Sequence, residues 1–367
     1  MVKKLFFLIY LIFIVSTTHL FSQEVINKGR ISGYMFGDYY YNLTRDTGIS
    51  SIPNAINGDE RDLNGFQLRR IYFTYDYDIS EKFTTRFRLE ADQVANTSNN
   101  KIGVFVKDAY LQWKNIFKGS DLLIGIQPTP AYEISEGVWG NRFLEKTIMD
   151  ARGIVPSRDI ALSLKGNLLS DGKLKYWLMI GDGSGNSPEV DKYKRFYAHL
   201  QLNPIKDLTA TLYADLKSRP NINDPNSTTT PPVTLSNNDL TYALFVGYKK
   251  KDDYTFGVES FINQRQNGMI TGSDVKDKYA IGLSVFASYN FMKQIALVGR
   301  YDYYDPNFDS DVKGDSRNWF IFSLNIKPDD KVTISPNVVI ETYESLPSGR
   351  SFKSSITPRI TFFYSFF

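Results

Sequence analysis

GFQLRRIYFTYDYDISEKFTTRFRLEADQ, residues Gly65–Gln93, reads as two arms of alternating character. In the first arm Ile71, Phe73, Tyr75, Tyr77 and Ile79 alternate with Arg70, Tyr72, Thr74, Asp76 and Asp78. In the second, Phe83, Thr85, Phe87, Leu89 and Ala91 alternate with Thr84, Arg86, Arg88, Glu90 and Asp92. Successive side chains of a strand point to opposite faces, so each arm has one oily face and one charged face. The joint Ser80-Glu81-Lys82 has room only for a tight antiparallel turn. A soluble sandwich would bury the oily face and wet the other. Here the wet face carries the density of Arg and Asp/Glu expected of a water-filled lumen, and the oily face is rich in the Phe and Tyr of a lipid-facing wall.

The remainder of the chain repeats this pattern. Arg30–Leu43, Gly103–Asn115, Asp121–Gln127, Arg158–Gly166, Lys173–Gly181, Arg195–Asn203, Leu208–Lys217, Leu240–Lys249, Tyr254–Asn263, Tyr279–Phe291, Gln294–Tyr304, Trp319–Lys327, Lys331–Glu341 and Ser354–Phe367 are further candidate strands. With the opening hairpin they make about sixteen, an even number within the range of outer-membrane barrels. Connections alternate strictly, tight at one end and long and polar at the other. A closed barrel with two different rims has reason to do this, and closure removes the sheet edges that lipid would not tolerate. The fold class expected is therefore all-β, a transmembrane antiparallel β-barrel. Leu240–Lys249 and Arg158–Gly166 carry apolar residues on both registers, which leaves their facing open.

Composition agrees. Lys+Arg 43 against Asp+Glu 40 leaves +3 over 367 residues, too balanced for a nucleic-acid partner. Mean hydropathy of −0.30 suits a barrel, half of whose strand residues face water. The 24 Tyr and 26 Phe fit interfacial girdles, with Trp113, Trp177 and Trp319 near strand ends. With no cysteine, disulfides, thiol chemistry and a lipoprotein anchor are excluded. Residues 1–22 read as a secretory signal: Lys3 and Lys4, an apolar core Leu5–Val15, and cleavage after Ser22. The competing reading, an uncleaved anchor helix, has a short apolar run for a span. The mature barrel then comprises residues 23–367.

Two connections stand out. Pro128–Ser157, PTPAYEISEGVWGNRFLEKTIMDARGIVPS, is long for a structureless loop. Its Trp139, Phe143, Leu144, Ile148 and Met149 need somewhere to pack, and Leu144–Arg152 has the composition of a short helix. Residues 218–239 are rich in Pro, Asn and Thr and read as a long exposed extracellular loop. On the last strand Ile356, Ile360, Phe362, Tyr364 and Phe366 form an apolar ladder against Thr357, Arg359, Thr361 and Ser365. A terminal aromatic on such a strand is similar to the outer-membrane assembly signal, although Phe367 itself falls in the polar register.

The run NGFQLRRIYFTYDYDISEKFTTRFRLEADQ, followed by VKDAYLQW, IGIQPTP, the long third outer loop and the aromatic terminus, resembles the porins of the phosphate-selective O/P type, and especially their Bacteroidetes relatives. The resemblance covers nearly all the mature chain. It implies a homotrimer and a third loop, 128–157, folded inward as a constriction. It does not carry phosphate specificity, which would need a lysine-rich constriction. Lys146 is the only lysine of that loop.

Porin chemistry is electrostatic screening by opposed charges on loop and wall. The candidate wall is Arg70, Arg86 and Arg88 with Glu90, Asp92 and Asp108, joined by Arg359 on the closing strand and by Arg300 and Asp302. The candidate loop charges are Glu133, Glu136, Glu145 and Asp150, offset by Arg142, Lys146 and Arg152. Two readings stand: an acidic loop facing a basic wall, or arginines paired in a structural ladder in which Arg70 sits opposite Glu90 or Asp92. His199, the only histidine after signal cleavage, lacks a recognisable partner for catalysis, so no enzyme is expected. Gly181–Asp191, GDGSGNSPEVD, lacks the glycine and glutamate of a calcium loop and reads as a polar turn. The function expected is passive diffusion of small hydrophilic or ionic solutes across the outer membrane of a Gram-negative bacterium. No cofactor or metal is needed, and the partners are lipid, solute and, through the C-terminal strand, the barrel-assembly machinery. The alternative is a non-conducting barrel acting as an adhesin or structural protein.

Overall fold

The computed structural model describes residues 29–46, 48, 60–96, 99, 101–309 and 311–367. The signal segment 1–22 and much of the first long loop lie outside the described residues. The opening strands are β1 (Gly29–Tyr41), β2 (Asn64–Asp78), β3 (Phe83–Asn96), β4 (Ile102–Phe117) and β5 (Ser120–Pro128). Two short helices follow, α1 (Glu133–Trp139) and α2 (Ile148–Ala151). Then come β6 (Arg158–Asn167), β7 (Leu174–Gly181), β8 (Arg195–Leu202) and β9 (Leu208–Lys217). A small pair, β10 (Ile222–Asn223) and β11 (Thr234–Leu235), interrupts the sequence. The chain finishes with β12 (Asp239–Lys250), β13 (Tyr254–Thr271), β14 (Asp274–Met292), β15 (Ile295–Asp305), β16 (Arg317–Asp329), β17 (Val332–Tyr343) and β18 (Ser355–Phe366).

All strands but β10 and β11 form one closed barrel of sixteen, each pairing antiparallel with its neighbours. Closure is made by β1, which pairs with β2 on one side and with β18 on the other, Gly33 facing Phe366 and Tyr40 facing Arg359. Alternation dictates the two surfaces. Phe256, Leu297, Phe322 and Ile360 are exposed on the outside, whereas the intervening Ser284, Asp302, Ser335 and Thr361 are buried. The opening turn closes as its sequence suggests: the Ser80 hydroxyl accepts from the Lys82 and Phe83 amides at 3.3 and 3.1 Å, a serine turn.

The alternation of short and long connections has one exception. The stretch between Asn263 and Tyr279 is not a loop. β13 and β14 run on past the rim as a ribbon closed by Gly272-Ser273, and Gly272 takes the φ of +62° that so tight a hairpin demands. Polar side chains conceal it from a reading by alternation, because a ribbon outside lipid needs no oily face.

The other surprise is apolar material on the inward register. Phe36, Tyr72, Phe245, Phe286 and Val298 cluster with Trp139, Phe143 and Leu144. Met179, Tyr197, Tyr213 and Phe261 cluster with Ala131, Tyr132, Ile148, Met149 and Val155. Segment 128–157 thus finds its packing partners on strands from both halves of the sheet. This resolves the ambiguous facing of Leu240–Lys249: Tyr242, Leu244 and Val246 are exposed, and Phe245 turns the other way to meet the segment. In the Arg158–Gly166 stretch, Leu162 is exposed and Asp159, Ala161 and Ser163 are buried. Trp177 and Trp319 are not girdle residues; both are buried, under Lys165 and beside Arg152 respectively. Trp113 is exposed near the short-turn rim, as a girdle residue should be.

Candidate functional site

The hairpin arginines are paired with carboxylates of the same wall. Arg70 engages Glu90 and lies 3.5 Å from Asp92. Arg86 bonds Asp76 at 2.7 Å, and Arg88 meets Asp108 at 3.2 Å while its Nε donates to Thr74 at 2.8 Å. Asp108 also accepts from Arg158. These contacts follow the ladder reading, as the register requires: Asp76 lies directly opposite Arg86, and Glu90 opposite Tyr72, one pleat from Arg70. Arg300 grips Asp302 of its own strand at 2.8 and 2.6 Å, both side chains being buried.

Segment 128–157 is organised by its own charges. Arg142 bridges Glu136 at 2.9 Å and Asp150 at 3.4 Å, and Lys146 lies 3.5 Å from Asp150. Burial pushes the Glu136 carboxyl up, with Arg142 opposing. Burial also resists ionisation of Asp150, but Arg142 and Lys146 outweigh it and hold that carboxyl below its ordinary value. Glu145 is likewise held low, burial being overcome by Arg69 and Arg359. Glu133 is exposed and makes no ion pair within 4 Å among the described residues. Leu144–Arg152 is only partly helical: α2 spans Ile148–Ala151, and Trp139 anchors the preceding stretch by donating from its ring nitrogen to the Glu145 carbonyl at 2.8 Å.

Segment and wall meet mainly through guanidinium groups on backbone carbonyls. Arg69 donates to Phe143 O and, at 2.9 Å, to Leu144 O. Arg359 donates to Leu144 O at 3.2 Å, and Arg300 to Lys146 O. Arg152 pairs with Glu341 at 3.3 Å, and Asn325 donates to Asn141 at 2.8 Å. Arg300 lies over the rings of Trp139 and Trp319, at 5.3 and 5.5 Å from their centres. The segment is therefore held to β2, β15, β16, β17 and β18 together. Most charges of loop and wall pair within their own side, while Glu145 faces Arg69 and Arg359, and Arg152 faces Glu341, across the contact.

Strict alternation overlooks two cations. Between β1 and β2 the register slips by one residue after Phe36, and Arg69 is the extra residue. Between β3 and β4 it slips at Arg88/Leu89, and Lys107 is the extra residue. A bulge turns two consecutive side chains to one face. Arg69 thereby shares Arg70's face and reaches Asp38 at 2.7 Å, and Lys107 reaches Glu90 at 3.0 Å and Ser157 at 3.1 Å. The signal is present in the sequence as Arg69-Arg70 and Lys107-Asp108. Two charges in succession within a strand would put one of them in lipid at a cost of about 2–4 kcal/mol, and a bulge avoids it. His199 is buried opposite Trp177 and Tyr213 and makes no hydrogen bond to a described residue.

The sequence matches no family model and no curated protein. Solved structures do match in shape. The outer membrane channel DcaP of Acinetobacter baumannii superposes with a TM-score of 0.64 at 12% identity, over 92% of this chain and 97% of that one. The anion-selective porin from Comamonas acidovorans gives 0.61 at 10% identity, over 92% and 100%. In-vitro folded OmpT of Vibrio cholerae, in its trimer form, gives 0.54 at 11% identity, over 92% and 100%. At such identities the likeness is one of fold, and the fold is the sixteen-stranded antiparallel barrel of outer-membrane porins.

Proposed function

We propose that this chain is a passive diffusion channel for small hydrophilic or ionic solutes in the outer membrane of a Gram-negative bacterium. The observation that carries the proposal is a closed barrel with an apolar outer register and a long segment tied to several of its strands at once. Segment 128–157 folds into the lumen and sets the bore, and the paired arginines of β2 and β3 line the water path beside it. Its guanidinium–carbonyl ties support this, since they fix backbone position without leaving mobile charge in the path. The chain assembles as a homotrimer, as the resemblance to the O/P-type porins implies and as the trimer form of OmpT illustrates for a barrel of this shape. The barrel contacts lipid on its outer face and is delivered through the assembly machinery by β18.

A second reading has its own support. Leu144, Ile148 and Met149 are fully buried, so segment 128–157 is packed as tightly as a plug, and a non-conducting surface protein would look similar. Refolding the mature chain into a planar bilayer decides between them. Discrete conductance steps are expected, with the reversal potential under a salt gradient giving selectivity. A folded barrel without steps would overturn the channel reading.

A further inference from the structure

At the long-loop rim a polar cavity of about 580 Å³ opens between the end of segment 128–157, the β9–β12 connection and the β13–β14 ribbon. Arg152, Arg219, Arg265 and Lys278 line it, against Asp239 as the one lining carboxylate among the described residues. Asp239 is already engaged, by Arg219 and by Arg265 Nε at 3.4 Å. Arg152 is already paired with Glu341, but Arg219 and Arg265 share Asp239 and Lys278 adds a further cation, so the lining keeps a positive surplus.

Several of these donors are unspent. Arg265 is fixed through Nε, which donates to Asn237 at 2.8 Å, while its two terminal nitrogens donate to no described residue. Its position depends on Gly268, at the register slip between Arg265 and Met269, where a Cβ would collide with the Arg265 side chain. Lys278 makes no ion pair or hydrogen bond with a described residue, although Asp315 is near enough to be felt. Arg152, its side chain only 8% exposed, is clamped by Tyr304 and Trp319 and paired with Glu341, so it shapes the floor without adding free charge. Anions are recognised by such convergent, charge-assisted donors.

The size and the remaining lining narrow the class. A cavity in the range of organic-ligand sites is far too roomy for a halide or a sulfate alone. Asn263 and Asn267 spend their NH2 groups on Thr241 and Ser236, which leaves their carbonyl oxygens to accept from ligand hydroxyls, and the Tyr304 ring adds a flat apolar wall. We infer that this cavity captures a sugar acid, a polyhydroxylated carboxylate of hexuronate type, before it meets the narrowing at segment 128–157. The inference rests on the channel reading only for the capture role; binding is a separate property.

Calorimetric titration of the detergent-folded barrel with glucuronate, glucose and sulfate tests binding, and a planar bilayer tests conduction on the same preparation. Saturable binding of glucuronate, weaker binding of sulfate and none of glucose are expected. Arg265→Gln and Lys278→Gln, made separately so that one folding failure does not end the test, should each weaken glucuronate roughly tenfold. Sulfate binding as tight as glucuronate, glucose binding, or undiminished affinity in both variants would overturn the inference. Conductance without glucuronate binding sinks the cavity's role and leaves the channel; binding without conductance sinks the channel and leaves the cavity.

Discussion

Glu259, on the inward register of β13, has both carboxylate oxygens buried without a hydrogen-bond partner among the described residues. Ser135 of α1 is its neighbour, but that hydroxyl donates to the Tyr132 carbonyl at 3.1 Å. An unpaired buried carboxylate is costly, and Gln fills nearly the same volume without the charge. Glu259→Gln is therefore expected to stabilise the barrel by about 1–2 kcal/mol, read as a higher denaturant midpoint in lipid. An unchanged or lower midpoint would mean the charge is compensated. The contrast with Arg300 is instructive. Arg300 and Asp302 stand two residues apart on one strand, so alternation alone places them side by side, and that pair was legible in the sequence. Glu259 was not, because its isolation depends on where α1 comes to rest.

In the proposed channel segment 128–157 sets the bore, and its docking is electrostatic as well as apolar. Asp150 and Glu145 both have folded-state values held below the ordinary 3.8 and 4.5. A carboxyl depressed in this way contributes stability above its unfolded value and loses it as pH falls through the folded one. Glu136, raised by burial, takes up a proton earlier and contributes with the opposite sign. Docking should thus persist at pH 5 and above and loosen below about pH 4, seen as rising open-channel noise or as protease cleavage within 128–157. Asp150→Asn leaves Arg142 and Lys146 short of a partner, costs the segment about 3 kcal/mol, and should bring the same noise at neutral pH. Quiet currents at pH 3 in the unaltered protein would contradict this account. The sequence named the segment and its charges. It did not show that Arg142 spends itself on Glu136 and Asp150, since loop charges pair by conformation and not by period.

The barrel as a whole depends on its seam. Gly33 of β1 faces Phe366 of β18, and a Cβ there would run into the Phe366 ring and the Tyr72 carbonyl. Gly37 makes the same room for Phe362. Gly33→Val should cost about 1–3 kcal/mol and reduce the yield of closed barrel, measured as the heat-modifiable band after refolding, while leaving strand content by circular dichroism nearly intact. Full yield would mean the seam tolerates the extra bulk.

Strand number, the two faces and the closing strand were determined by the sequence itself, because a strand's period of two, imposed by lipid outside and water inside, must be written residue by residue. What only the tertiary structure decided are the features that break that period or span the barrel. They are the bulges that turn Arg69 and Lys107 inward, the ribbon of β13 and β14, the inward aromatics and the seat of segment 128–157. The ribbon and the bulges are local but break the period of two, whereas the inward aromatics and the seat of the segment are set by contacts between residues far apart in the chain, which no local pattern encodes.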